Sequence, residues 1–553
     1  MLLGYKQRLL IWRFIFLLST GLIFLQLFNL QVIKSNGIIS EAQKQFQKKL
    51  IFLRGDIRDR NGNLLVLDVI TYDLYNNVRN PEKISEEKLN KLVEVLKVKP
   101  KDLKQKLKQK RYTRIFSGIS ENLLTKIQDL KTDLVYSEPV ISRRYPLKSH
   151  AAHIIGFVNK EHKGQHGIEY YHESLLIKPS CENKKTQPYK KGTDLVLTID
   201  SVLQEFAEVE LMKAIKQSKA ERGTIIVTSP KTGEIYAWAT YPNFDPNIFY
   251  KEKTLKNWSL TDIYQPGSTF KVITISSALE NMTIQTNSSF FDPGYLKVGK
   301  RTIKNHHKNK PQYINLLELF KQSSNVASAQ VGLSMKAEDF YNSIKSFMIG
   351  TKTNIDLPGE SNGLLLNYKK WRTIDLATTA FGQGAVSVTP LQLACAIGAI
   401  ANHGVWVQPH ILKGIWDSNY NITSQNPYNI YTEQAISSEV ADYVSGLLKQ
   451  SVKENIKSMA YIGGNIPGYE VAGKTGTAQK IRSDGKGYLG GHTVASFIGY
   501  LPADDPEILT LIVIDDPKTG GGWGNTVCGP IFNNVVKMAT KRIIETDGKT
   551  NNV

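Results

Sequence analysis

Gln265-Pro266-Gly267-Ser268-Thr269-Phe270-Lys271-Val272-Ile273-Thr274-Ile275 is the stretch from which the rest of the chain can be read. Proline and glycine mark a turn, and the apolar run Val272 to Leu279 follows, so a helix should open at the serine. Ser268 and Lys271 stand three residues apart, which puts both on one helix face. A serine hydroxyl is a weak nucleophile until a base takes its proton, and a lysine serves as that base only when its surroundings depress its pKa. Burial beside a second cation would do so. The S-x-x-K pattern alone decides nothing, because Ser85-Glu86-Glu87-Lys88 and Ser483-Asp484-Gly485-Lys486 repeat it. The first of these is a charged helical face and the second lies in a glycine-rich loop.

Two further segments extend the pattern. Ser323-Ser324-Asn325, 55 residues after Ser268, offers a hydroxyl for proton relay and an amide for holding a peptide group, although the same residues would serve as a helix N-cap. Lys474-Thr475-Gly476-Thr477 lies on a β-prone run, where a cation, two hydroxyls and a glycine that permits close approach could bind a carboxylate. Around these segments Val202 to Gln217 reads as a helix. Thr224 to Thr228 and Glu234 to Tyr241 read as a hairpin, and Glu470 to Gln479, Ala495 to Leu501 and Leu509 to Asp515 as three more strands. The fold class is α+β: one five-stranded antiparallel sheet built from both ends of a domain, with helices packed on it and a helical subdomain inserted. Gly468 to Thr475 also satisfies the phosphate-loop pattern G-x-x-x-x-G-K-[ST]. That loop needs a strand before and a helix after, and Pro467, Gly476, Gly485 and Gly487 deny it both.

At 553 residues the chain exceeds one ordinary core. Its 41% apolar and 22% charged residues are globular values. A net charge of +20 suits polyanions, yet no nucleic-acid motif is present, and none is expected as a partner. The densest basic run, Lys97 to Arg114, reads as a solvated helix face, with anionic lipid or wall polymer as the other reading. Cys181, Cys395 and Cys528 are too scattered for a zinc site or a disulfide framework, and Cys395 reads as core. Phe14 to Leu30 is nearly uncharged for 17 residues and follows Lys6, Arg8 and Arg13. It reads as an uncleaved membrane anchor with the N-terminus cytoplasmic and the remainder outside. Lys178 to Gly192, poor in apolar residues and rich in lysine, reads as an exposed connection between domains. Expected parts are therefore a tail and anchor at 1–33, a polar mixed α/β region and linker at 34–192, a catalytic domain at 193–540 and a short tail at 541–553.

The ordered set S-x-x-K, S-x-N and K-T-G resembles the signature shared by penicillin-binding proteins and serine β-lactamases. Arg54 to Gly62 (R-G-D-I-R-D-R-N-G), Arg144-Tyr145-Pro146, Gly164 to Glu169, Phe381 to Gly384 and Val388 to Ala394 extend the resemblance to class B penicillin-binding proteins, over roughly Arg54 to Phe532. Y-x-P-G-S-T-F-K leans towards the division type, FtsI-like, over the elongation type. Gln265 and Ser229 depart from that type, which often has Glu and Asp there. The resemblance implies an elongated pedestal domain ahead of a β-lactamase-like transpeptidase domain. It also implies Ser268 as acylated nucleophile, Lys271 as its base, Ser323 and Asn325 as relay and amide contact, and Lys474 as a source of positive potential. Thr475, Gly476 and Thr477 would bind the substrate carboxylate, and the N–H groups of Ser268 and Thr477 would form the oxyanion hole. The implied substrate is a peptidoglycan stem peptide ending in D-Ala-D-Ala, with β-lactams as inhibitors. No metal or organic cofactor is implied. Implied partners are a membrane-embedded SEDS glycosyltransferase and other division proteins. A D,D-carboxypeptidase or a β-lactam sensor would share the catalytic set.

Overall fold

The computed structural model describes residues 5–28, 51–81, 84–178, 189–306, 310–416, 422–425, 429–457, 464–482 and 487–545. Its main sheet is antiparallel throughout, in the order Ala472–Ile481, Tyr488–Leu501, Ile508–Asp515, Arg222–Thr228, Ile235–Tyr241. These are the five strands expected from the sequence. Alternation along them divides the core in two. Ile225, Val227, Phe497, Ile512 and Ile514 pack with the helices Ser201–Ser218 and Gly524–Ala539. Ile226, Ile498, Tyr500, Leu511 and Val513 pack with Lys271–Glu280 and Pro390–Ala401. Strand Ile508–Asp515 lies between both layers and is buried at all eight positions, which explains its unbroken apolar sequence. Helix Pro390–Ala401 is likewise buried along its full length, with Cys395 inside it.

A second sheet links distant parts of the chain, in the order Ile422–Gln425, Leu412–Trp416, Asp194–Leu197, Ile57–Arg58, Leu64–Asn76, Arg114–Ile119. Val135–Arg144 also pairs with Leu64–Asn76. The strand expected at Leu64 to Val69 thus runs on to Asn76, because Tyr72 and Leu74 gain partners on both sides. Helices Glu86–Leu96, Pro100–Leu107 and Glu121–Asp129 cover one face at its far end over a core that includes Leu74, Leu89, Leu92, Leu103, Ile115 and Ile127. The basic run is partly paired: Lys104 meets Glu86, Arg114 meets Asp73, and Lys106 Nζ donates to Ile115 O. Lys97, Lys99, Lys101, Lys108 and Lys110 are exposed.

The R-G-D and G-x-E segments meet in a buried ionic cluster. Arg143 donates to Glu169 Oε1 at 2.7 Å and to Asp68 Oδ1 at 3.3 Å. Arg54 reaches Glu169 Oε2 at 2.8 Å through Nη2, while its backbone N–H donates to Asp68 Oδ2 at 2.7 Å. Tyr145 OH points at Glu169 Oε1 from 3.5 Å. Buried charges cost several kcal/mol each unless paired and hydrogen-bonded, so the residues of these motifs depend on one another.

Among the described residues, 5–28, 51–53 and 189–192 belong to a separate body. Tyr189–Lys191 pairs in parallel with Ile51–Leu53, so the connection expected at Lys178 to Gly192 carries a strand at its end. Residues 179–188 of that connection lie outside the described residues. The N-terminal helix runs Tyr5–Phe28 and exposes Trp12, Phe14, Phe16, Leu17, Leu22, Ile23 and Phe24. Among the described residues no helix is long and apolar enough to cross a membrane. The expected span Phe14 to Leu30 is therefore not met as a complete span, and its last two residues lie outside the described residues.

Glu169→Ala should leave two buried guanidinium groups short of counter-charge and destabilise the protein by about 3 to 5 kcal/mol, measured by denaturant unfolding. Unchanged stability would mean that the cluster is solvated.

Candidate active site

The serine turn is set by two glycines. Gly267 has φ +61° and donates its N–H to Gly382 O at 3.0 Å. Gly382 has φ +73°, and a Cβ there would lie 2.3 Å from Gly267 O. This contact gives the F-G-Q-G run its reason. Beside it Tyr264 and Val388 exchange two backbone hydrogen bonds at 2.9 Å, and Tyr488 OH donates to Gln265 Oε1 at 2.9 Å. Residues Gly267–Phe270 form a tight 3-10 turn, and the α-helix begins only at Lys271. Ser268 is thereby half-buried at a turn while Lys271 is fully buried.

Ser323-Ser324-Asn325 satisfies both readings of its sequence, on alternate residues. Ser324 is the N-cap of helix Asn325–Ser334, accepting from Ala327 N at 3.0 Å. Ser323 closes the preceding helix Leu316–Gln322 in the left-handed region, φ +52°, an uncommon state for a residue with a side chain. The reversal turns Ser323 and Asn325 to Lys271. Lys271 Nζ donates to Ser323 O at 2.6 Å, Asn325 Oδ1 at 2.8 Å and Ser323 Oγ at 3.2 Å.

Lys474, Thr475, Gly476 and Thr477 lie on the edge strand Ala472–Ile481. Gly476 has no room for a side chain: a Cβ would lie 2.3 Å from Ser496 Oγ and 3.0 Å from Thr269 Cγ2. Strand and serine turn can therefore touch. Lys474 Nζ donates to Ser323 Oγ at 3.2 Å, so both lysines meet one hydroxyl. Thr475 and Thr477 share a strand face, and Thr477 Oγ1 accepts from Gly524 N at 3.2 Å. All eight residues expected in the site therefore fall on the serine turn, the 323–325 junction and the edge strand, and contacts join each segment to a neighbour. The strand course also removes the phosphate-loop reading, since no helix opens at Lys474-Thr475.

Burial, and after it the charge of Lys474, push Lys271 well below the ordinary lysine value; Asp292 opposes them. Burial pushes Lys474 down to about 8. Two lysine amines held below the ordinary lysine value, within reach of one serine hydroxyl, can exchange protons through it, which is what acyl transfer through a serine ester requires. Two supporting residues were not foreseen. Asn305 Oδ1 accepts from Asn325 N at 2.9 Å and Val326 N at 3.1 Å. Asp292 Oδ2 accepts from Ser324 Oγ at 2.6 Å and Asn305 Nδ2 at 2.7 Å. Only the turn cue D-P-G at 292–294 marks either in the sequence.

Residues 223–537 match the penicillin binding protein transpeptidase domain, and residues 52–196 the penicillin-binding protein dimerisation domain. The chain belongs to the penicillin-binding protein transpeptidase family, in the class B form that carries a dimerisation domain ahead of the catalytic one. It is 31% identical to stage V sporulation protein D of Bacillus subtilis over 95% of this chain and 85% of that one. It is 30% identical to peptidoglycan D,D-transpeptidase FtsI of Buchnera aphidicola over 96% and 95%. Penicillin binding protein 2X of Streptococcus thermophilus shares the fold at TM-score 0.77, with 24% identity over 90% of this chain and 80% of that one.

Lys474 bears on stability with a definite sign. Its folded pKa lies below the unfolded value, so the unfolded chain binds the extra proton between about pH 8 and 10.5, and stability rises with pH across that window. Lys474→Met should be more stable than the parent at pH 7 by about 3 kcal/mol, the excess shrinking towards pH 10.5. Denaturant unfolding at several pH values measures this, and a constant difference would show that Lys474 is not forced down.

Proposed function

We propose that this protein joins peptidoglycan stem peptides through an acyl-enzyme on Ser268. Its relatives named peptidoglycan D,D-transpeptidase and its transpeptidase domain support that reaction. The observation that carries the residue roles is Lys271, buried against Ser323 and Asn325 with Lys474 as second cation. In the reading, neutral Lys271 takes the Ser268 proton as Oγ attacks the carbonyl of the penultimate D-Ala. The N–H groups of Ser268 and Thr477 hold the oxyanion. Collapse breaks the peptide bond, and the terminal D-Ala leaves as an amine with a proton relayed through Ser323. An amine of a second stem peptide then attacks the ester, gives up its proton by the reverse route and frees Ser268. Asn325 holds the donor amide, and Thr475 and Thr477, beside Gly476 and Lys474, receive its carboxylate.

The division role is supported by the FtsI names among its relatives. Depletion should give filaments; round or bulging cells would move the role to elongation. The helix Tyr5–Phe28, with apolar side chains exposed from Trp12 to Leu25 and with Lys6, Arg8 and Arg13 in its sequence, supports an N-terminal anchor with a cytoplasmic start. A membrane-embedded SEDS glycosyltransferase that polymerises glycan is the partner class this reading expects.

β-Lactams mimic the D-Ala-D-Ala end and should leave a covalent adduct on Ser268, seen by peptide mass spectrometry. Ser268→Ala should abolish adduct and cross-linking. Lys271→Met should keep the fold and slow acylation by about 100-fold or more; an adduct on another residue, or acylation unchanged in Lys271→Met, overturns the roles.

A further inference from the structure

The far end of the second sheet carries a constellation that the reaction does not use. Tyr75 and Tyr136 pair across strands, their rings stacked at 5.2 Å. Their neighbours Leu74 and Val135 belong to the core under the three helices, so the tyrosines point to the opposite face. Tyr112 meets Tyr136 edge-on at 5.6 Å and is 56% exposed. Its φ is +69°, where a bulky side chain is a genuine outlier, and strain of this kind collects at ligand sites. Arg111 lies over the Tyr112 ring at 4.5 Å and also donates to Asn77 Oδ1 at 2.8 Å. Beyond Asn77 a groove of about 450 Å³ continues along Arg79, Asn80, Ser85 and Lys88, where Lys88 is paired with Asp133 at 2.8 Å. Exposed Lys108 and Lys110 flank it in sequence.

We infer that this face binds a glycan–peptide strand of the wall at a site separate from the cleft, taking sugar rings on the tyrosines and stem-peptide carboxylates on Arg79, Arg111 and the exposed Lys108 and Lys110. Aromatic rings offer flat apolar area to sugar faces, amides and guanidinium groups match acetamido and carboxylate groups, and the basic surface complements an anionic polymer. The inference rests on the wall-peptide reading of the cleft, and it gives the basic run a ligand. A strand held here would stay near the enzyme between acylation and transfer.

The test uses full-length protein in detergent whose Ser268 is first blocked by a β-lactam, and soluble uncross-linked disaccharide–peptide oligomers as the probe. Binding should persist in the blocked protein and weaken by about tenfold or more in Arg111→Ala and in Tyr112→Gly. Tyr112→Gly removes the ring yet suits the positive φ, so its Tm should stay near the parent's and loss of fold would not mimic loss of binding. Acylation rates should be unchanged in both variants. Oligomer binding that vanishes on acylation, or that neither variant weakens, overturns the inference. So does a Tyr112-dependent shift in sedimentation, which would make the face a contact between copies, or Tyr112-dependent flotation with phosphatidylglycerol vesicles. Failure of the β-lactam to acylate the parent would instead count against the cleft reading; in that case binding is measured on Ser268→Ala.

Discussion

Two lysine side chains brought from distant parts of the chain meet one serine hydroxyl inside the protein, and the rest of the site follows from making that encounter tolerable. Burial in a water-poor interior makes the charged form of each amine costly, and the second cation adds to that cost for Lys271. Lys271 Nζ donates to a carbonyl, an amide oxygen and a hydroxyl and also feels Lys474, whereas Lys474 is lowered by burial alone. Asp292 partly offsets the penalty on Lys271 from behind the serine junction. The fold thus holds two lysine side chains at an energetic loss, a perturbation of the kind that clusters at functional sites.

Such an encounter needs backbone brought unusually close. Gly267 and Gly382 let the serine turn dock on the F-G-Q-G loop, and Gly476 lets the edge strand lie against Thr269. A methyl group at Gly382 or Gly476 would meet neighbours at 2.3 Å. The edge position matters as much as the closeness. Among the described residues Ala472–Ile481 pairs with a strand on one side only, an arrangement that can take an extended peptide by adding to the sheet, and the serine turn lies against this strand.

The five strands of the main sheet were legible because each is a compact β-prone run bounded by turn residues, and the motif residues were legible because chemistry restricts which side chains can serve. What the sequence hid was mutual. Asn305 and Asp292 act only through Ser324 and Asn325, contacts that no local period reports. Strand Leu64–Asn76 extends past the run its sequence marks because its second half, from Ile70, owes its state to Val135–Arg144 and Arg114–Ile119 rather than to its own alternation. Ser323-Ser324-Asn325 looked ambiguous between cap and relay because it is both, with the capping role on the middle residue.

The pedestal motifs have a comparable logic at the start of the catalytic part. Asp59 accepts from Ser201 Oγ at 2.6 Å and from Asn61 and Asn63 of its own loop. Asn61 donates to Asp200, which caps helix Ser201–Ser218 and also takes Arg542 Nη2 at 2.7 Å. Three segments remote in sequence therefore converge on one helix N-terminus, where the helix dipole favours the carboxylate. That helix packs with Gly524–Ala539 under the sheet, and Gly524 N reaches Thr477 Oγ1 on the edge strand. The sequence R-D-R-N-G, far from the serine, is thus tied through one capped helix and its neighbour to the strand that bears the second lysine. Each link is a hydrogen bond or packed helix within a single compact body, which is why motifs of the pedestal and of the cleft belong to one structural requirement.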